Sequence, residues 1–345
     1  MLLWYELKKT LFSRALIGFA VLSLAMNFFI MFAYDHTYFH TERYLQPLNM
    51  TEPHNIFEGY ETSRLADYYI SIYGITGKAE ENIRAKYDAL QPVIDEKAAN
   101  GDALSVYFGD GTYWMHDFLF GKLLFYVIIQ TALIAMFAAL MSTGHENIRN
   151  TEQLICSSNI GRRITRAKLM ASLIGGLVFF AVIIGISLSV FFLRYDYSAV
   201  WNDNVSSSFN YWVKPFITWR SFTVAEYLWA VIGAAAGLVV VFSLFGFALG
   251  TFFRNVYASC GTAIALCVAQ VLAFMLFPIG STIRGLLNLT PIMLWMNAGR
   301  SKWFTEGGVE IIWAYFETIG LTACFILLAA ASVIAVQSYK RRDLL

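Results

Sequence analysis

Six unbroken apolar runs limit what this chain can fold into: about Ala15–Tyr34, Phe118–Met141, Leu169–Leu193, Leu228–Phe253, Tyr257–Phe277 and Trp313–Ser338. A helix needs about 20 apolar residues to cross the hydrocarbon of a bilayer. A membrane β-barrel would show segments of about 10 residues with strict alternation; these runs are longer and continuous, which selects helices. Composition points the same way. The chain is 58% hydrophobic and 14% charged, with mean hydropathy +0.55, whereas a soluble domain carries about 25% charged residues. The expected fold is an all-α integral membrane protein with six transmembrane helices, at residues 15–34, 118–141, 169–193, 228–253, 257–277 and 313–338. A small, mostly helical extracytoplasmic domain, residues 35–117, lies between the first and second.

Charge sets the orientation. Lys and Arg collect on the cytoplasmic side of short loops. Six spans place both termini on one side, which then holds twelve cations against four acids, a balance of +8. The other side is left at −7, so the net +1 hides a strong asymmetry. Both termini are therefore expected in the cytoplasm. The first span is too long for a signal-peptide apolar core and lacks a small-x-small cleavage site. The four cysteines have no CxxC spacing and read as packing residues.

The segments between the spans differ in kind. Residues 1–14 combine Trp4, Leu7 and Leu11 with Glu6, Lys8 and Lys9, which suits a cytoplasmic interfacial helix as well as a plain juxtamembrane cap. Residues 35–117 carry 14 acids against 6 cations and four of the five histidines: His36, His40, His54 and His116. The histidines are scattered and read as solvated surface rather than a metal site. Asn55–Tyr73 and Lys78–Ala99 have helical character, the second with Ile83, Tyr87, Leu90 and Ile94 at helical spacing; Gly74 and Gly77 separate them. Residues 194–227 form an outer aromatic loop suited to the membrane interface. Residues 278–312 include LLNLTPIMLW, apolar but too short to span, and read as a re-entrant or interfacial piece. Residues 339–345 are a basic tail.

Within the spans, Gly233–Gly237 and Gly246–Gly250 are two GxxxG patterns, which favour close helix approach. Polar residues are few: Asn27, Gln130, Gln270, and near the outer ends Lys122 and Glu317. Such residues face a bundle interior or water. There is no chain of carboxylates for proton coupling and no HExxH or GxSxG. A P-loop, GxxxxGK[ST], is absent as well; the nearest string, at Phe120–Leu123, lacks the upstream glycine and the hydroxyl. This chain is not expected to be an enzyme.

The loop at residues 142–168 contains NTEQLICSSNIGRRITRAK, rich in cations and hydroxyls and bounded by two spans. Its cations suit anchoring to anionic lipid headgroups, at about 1 kcal/mol each. They also suit pairing with a protein partner. Ser157-Ser158-Asn159 reads as a turn and helix start. With Glu146 before it and Lys168 after, the stretch resembles the cytoplasmic loop of ABC-2 type permeases, the membrane subunits of bacterial ABC exporters. That family shows a glutamate, Gly-Thr, an acid, two or three leucines, a small residue with Ser, Pro, Arg and then Lys. Glu146, Thr151, Glu152 or Gln153, Leu154, Ile155, Ser158, Arg162 and Lys168 fit in register; Asn150 and Asn159 stand in for the usual glycine and proline. The motif covers about twenty residues, and the six-span plan extends over the full length.

The resemblance implies that this loop forms a coupling helix docking in a separate ATPase, with Glu146, Thr151, Glu152, Leu154, Ile155 and Arg162 at the contact. It implies two ATPase copies that bind ATP and Mg, none of it in this chain, and a second permease, identical or homologous. Membrane lipids are the other expected partner; nucleic acid is not one. The location implied is the bacterial plasma membrane. The acidic outer segment hints at cationic cargo such as a peptide antibiotic. Two other readings stay open: a non-transporting membrane sensor or assembly factor whose outer domain binds a ligand, and a lipid-modifying enzyme using Asp110, His116 or Asp117.

Overall fold

The computed structural model describes residues 2–38, 55–102, 115–148, 151, 164–198, 200–208, 216–253, 255–298 and 302–341. Among them the chain is all helical, with two isolated bridges, Asn204–Thr223 and Thr218–Thr305, and no strand. The helices are α1 (Leu2–Leu11), α2 (Arg14–Tyr38), α3 (Thr62–Tyr73), α4 (Lys78–Asn100), α5 (Leu124–Ile148) and α6 (Ile164–Arg194). There follow α7 (Val205–Ser208), α8 (Val224–Phe253), α9 (Val256–Leu276), α10 (Thr282–Asn288), α11 (Pro291–Ala298) and α12 (Phe316–Arg341). A π-helical stretch, Asp117–Leu123, leads directly into α5.

Six of these are long and apolar enough to cross a membrane: α2, α5 with its π lead-in, α6, α8, α9 and α12. The protein is a multi-pass membrane protein. α5 is the centre of the bundle: 72% of its most apolar stretch is buried, against 11% for α9 at the rim. α8 packs on α5, α6, α9 and α12, and α2 packs on α5 and α6. The outward faces keep large apolar side chains such as Phe29, Val182, Leu272 and Leu327 exposed, as a lipid-facing surface requires.

Close backbone approach holds the centre together. A Cβ on Gly246 would sit 2.6 Å from the Met136 carbonyl oxygen, and one on Gly250 would collide with Thr143. Only glycine lets α8 come this near α5. Of the two GxxxG patterns, the second therefore packs within the chain. A Cβ on Gly233 would meet nothing, and one on Gly237 would make ordinary contact with Leu321.

At the end of the bundle opposite the termini sits a head built from α3 and α4. Gly74 (φ 59°) closes α3 in the left-handed region and Gly77 (φ 63°) precedes α4, a conformation that costs glycine little. α4 turns Ile83, Lys86, Tyr87, Leu90, Ile94 and Lys97 inward. Phe57, Ala66 and Ile75 cover them on one side, and Ile217, Trp219, Val309 and Ile312, from the segments before α8 and α12, on the other.

The aromatic stretch after α6 packs inward rather than lying flat at an interface. Tyr195, Tyr197 and Phe222 are buried. Their rings meet Phe191 and Tyr227 edge-on or tilted, at 4.7–5.9 Å between centroids. The reason is local: α6 ends in Phe191 and Phe192, which supply ring edges for these faces. Phe209, Tyr211 and Trp212 lie outside the described residues.

Candidate functional site

The loop singled out by its sequence joins α5 to α6. Glu146 lies in the last turn of α5, and Thr151 follows it, half-buried. Glu152, Leu154, Ile155 and Arg162 lie outside the described residues.

The anchors on either side of that loop are well defined. α5 and α6 pack along their length, and a Cβ on Gly176 would stand 3.0 Å from that of Ala135. Thr165 and Lys168 in the first turns of α6 are buried, while Arg166 is exposed. α1 lies against α6, with a break at Ser13 before α2 begins. Its inward face is polar: Glu6 and Thr10 are buried, and the Thr10 methyl sits 2.9 Å from where a Gly175 Cβ would be. Lys9 donates to the Glu6 carboxylate at 2.9 Å, neutralising it, and Trp4, Tyr5 and Phe12 are left exposed.

Halfway along the bundle three neutral side chains join three helices. Gln130 of α5 donates to the Asn27 side-chain oxygen at 2.9 Å, and Asn27 of α2 donates to the Ser187 hydroxyl of α6 at 3.0 Å. All three are buried. The structure therefore brings together two of the five polar span residues visible in the sequence. Ser187 was one hydroxyl among several on its helix, with nothing to set it apart. Of the others, Lys122 is exposed, Gln270 is half-buried on α9, and Glu317 is buried in the first turn of α12.

The head is fixed by a polar node that no sequence pattern marked. Lys86 Nζ lies 3.0 Å from Glu306 Oε2 and donates to the Gly308 carbonyl at 2.6 Å. The same carboxylate oxygen accepts from Tyr87 OH at 2.9 Å and from the Gly308 N–H at 2.8 Å. Burial pushes the Lys86 ammonium down, against the pull of Glu306. Burial alone would raise the Glu306 carboxyl, but the Lys86 ammonium and the hydrogen bonds from Tyr87 and Gly308 hold it below its ordinary range. Both partners are met by hydrogen bonds as well as by each other, the condition under which buried charge is tolerated.

Further along α4, Lys97 is buried and donates to the Thr218 hydroxyl at 3.1 Å, with Asp102 at 4.0 Å; burial lowers its pKa to about 8. Asn82 donates to the Gly280 carbonyl at 2.9 Å. His116, one of the four histidines in residues 35–117, is buried against Tyr197, its Nδ1 3.0 Å from the phenol oxygen, and burial pulls its pKa down to about 3. It is a neutral core residue rather than solvated surface. Among the described residues no group of three His, Cys, Asp or Glu is placed to hold a metal.

No family model, no curated protein and no solved structure matches this chain.

Proposed function

We propose that this protein is the membrane subunit of an ABC-2 type exporter in a bacterial plasma membrane, with both termini in the cytosol. The observation that carries the reading is the register of Glu146, Thr151, Glu152, Leu154, Ile155, Ser158, Arg162 and Lys168 between the second and third spans. The packing of α1, α5 and α6 around the ends of that loop supports it, because a push on a loop does mechanical work only if its anchors move as a body. In this reading a separate ATPase, two copies per complex, binds ATP and Mg and docks on the loop. A second permease, the same chain or a homologue, completes the pathway. The acidic outer face favours a cationic substrate such as a peptide.

The test is affinity purification from the native membrane in mild detergent, with vanadate-sensitive ATP hydrolysis measured and co-eluting chains identified by mass. A P-loop ATPase is expected to co-elute, and Leu154→Ala with Arg162→Ala is expected to release it. If both substitutions leave co-purification and stimulated hydrolysis unchanged, the docking assignment is wrong. A second reading, a ligand sensor without transport, is favoured by the Lys86–Glu306 node, since it ties the head to the segment entering α12. A chain that purifies alone and does not stimulate hydrolysis selects that reading.

A further inference from the structure

A cleft of about 290 Å³ opens where α4 meets the residues that lead into α12. Its floor on α4 is Ala85 and Ala89, both exposed, one helical turn apart and too short to fill the space. Trp219 and Trp313 stand in its walls, with Asn82 and the stem of Lys86 at one side. Ligand pockets run from about 300 to 1,000 Å³, so this one is sized for a single large side chain rather than a whole drug-like molecule.

Two features say what kind of group it accepts. The first is an unmet donor: Trp219 is 6% exposed, and its indole N–H has no hydrogen-bond partner among the described residues. A buried donor left unpaired costs about 1–3 kcal/mol, so an acceptor there is favoured. The second is charge. Between residues 55 and 102 the head carries nine acids and five cations. Lys86 and Lys97 are buried, and Arg64, Lys78 and Arg84 are each paired with an acid of the head. Helix geometry places Asp88 beside Ala85, at i+3, where it is exposed; Glu81, at i−4, is already paired with Lys78. Asp88 has no cation partner among the described residues. The Lys86 ammonium is already neutralised by Glu306, so it offers nothing to an anionic ligand.

We propose that this cleft is a binding site for a cationic peptide. It takes one aromatic or large aliphatic side chain between Trp219 and Trp313. Asp88 on α4 holds a flanking cation, and the Trp219 indole N–H bonds a peptide carbonyl. The site belongs to the chain itself and does not rest on the exporter reading, because no ATPase takes part in it.

The test uses the full chain in nanodiscs of zwitterionic lipid and a short fluorescein-labelled peptide alternating Lys and Trp, followed by fluorescence anisotropy. Saturable binding is expected. Ala89→Trp, which fills the cleft from an exposed position, is expected to weaken it about tenfold or more, as loss of an anchor pocket does. Ala89→Ser leaves the cleft open and is expected to bind as wild type. Asp88→Asn is expected to weaken binding about twofold at low salt, with the difference closing as salt rises. Should Ala89→Trp fail to fold, Trp313→Ala carries the same expectation by removing a wall. Undiminished binding to a filled or wall-less cleft overturns the proposal. So does equal binding of a peptide with every Lys changed to Ser, which would mark the cleft as an apolar site for lipid.

Discussion

In the head, α4 is joined to the segment before α12 by a buried ion pair; in the bundle, α8 is joined to α5 by a glycine lying against a carbonyl. Water explains the difference. The head has its own small core of Ile83, Tyr87, Leu90 and Ile94, driven together by exclusion from water. That core encloses charge only because Lys86 and Glu306 arrive as a pair with further hydrogen bonds. Helices in lipid gain no hydrophobic drive from meeting one another and rely on close packing and a few neutral hydrogen bonds. Gly246 supplies the first, and the Asn27–Gln130–Ser187 chain supplies the second. Solvent on each side has selected a different fastening.

Substitutions that break each fastening sharpen this contrast. The largest effect is expected from Lys86→Met, which strands the Glu306 carboxylate; losing one partner of a buried pair costs about 3–5 kcal/mol. Trypsin cleavage at Arg64 and Arg84 reads the loosened head directly, while the bundle stays intact. Adding Glu306→Leu is expected to recover much of the loss, and no recovery would mean the pair is not the fastening. Gly246→Leu comes next, at about 3 kcal/mol for overpacking, read as loss of monodisperse protein in detergent; here no charge change at the partner helix rescues it. Asn27→Leu is expected to cost about 1 kcal/mol in thermal melts, with Gln130→Leu adding little once Asn27 is gone.

The smallest effect is one of pH. Lys97 titrates at about 8 in the folded head instead of 10.5, so between those values the unfolded chain holds a proton that the folded head has released. Stability therefore rises with pH across that window. Lys97→Met is expected to flatten the slope and to raise the melting temperature at neutral pH by a few degrees. A slope that survives the substitution assigns it to another group.

The spans and the core face of α4 were legible because both are local patterns: a run of apolar residues, and Ile83, Tyr87, Leu90 and Ile94 at helical spacing. The head's fastening was not. Lys86 and Lys97 sit among other charges of α4, where a lysine ordinarily faces water, and the acid that draws Lys86 inward is far along the chain. The two GxxxG patterns looked alike, and only the neighbour across the interface, Met136 for Gly246 and nothing for Gly233, separates them. Tyr195, Tyr197 and Phe222 had the composition of an interfacial belt, and their burial depends on rings at the end of α6 that no window along the sequence pairs with them. The loop that carries the functional reading stays with its sequence: of the six residues assigned to docking, the structure places Thr151 and the backbone of Glu146.

The Lys86–Glu306 pair also dictates an order of manufacture. Its members are 220 positions apart, and at about 5–20 residues per second of synthesis the acid is made roughly 10–40 s after the lysine. Through that interval α4 is complete but has neither a counter-ion for its inward ammonium nor Val309 and Ile312 to cover Ile83 and Tyr87. The first large segment to leave the membrane is thus among the last to mature. A nascent chain arrested at the end of α11 would hold every residue of α3 and α4 and still lack a finished head.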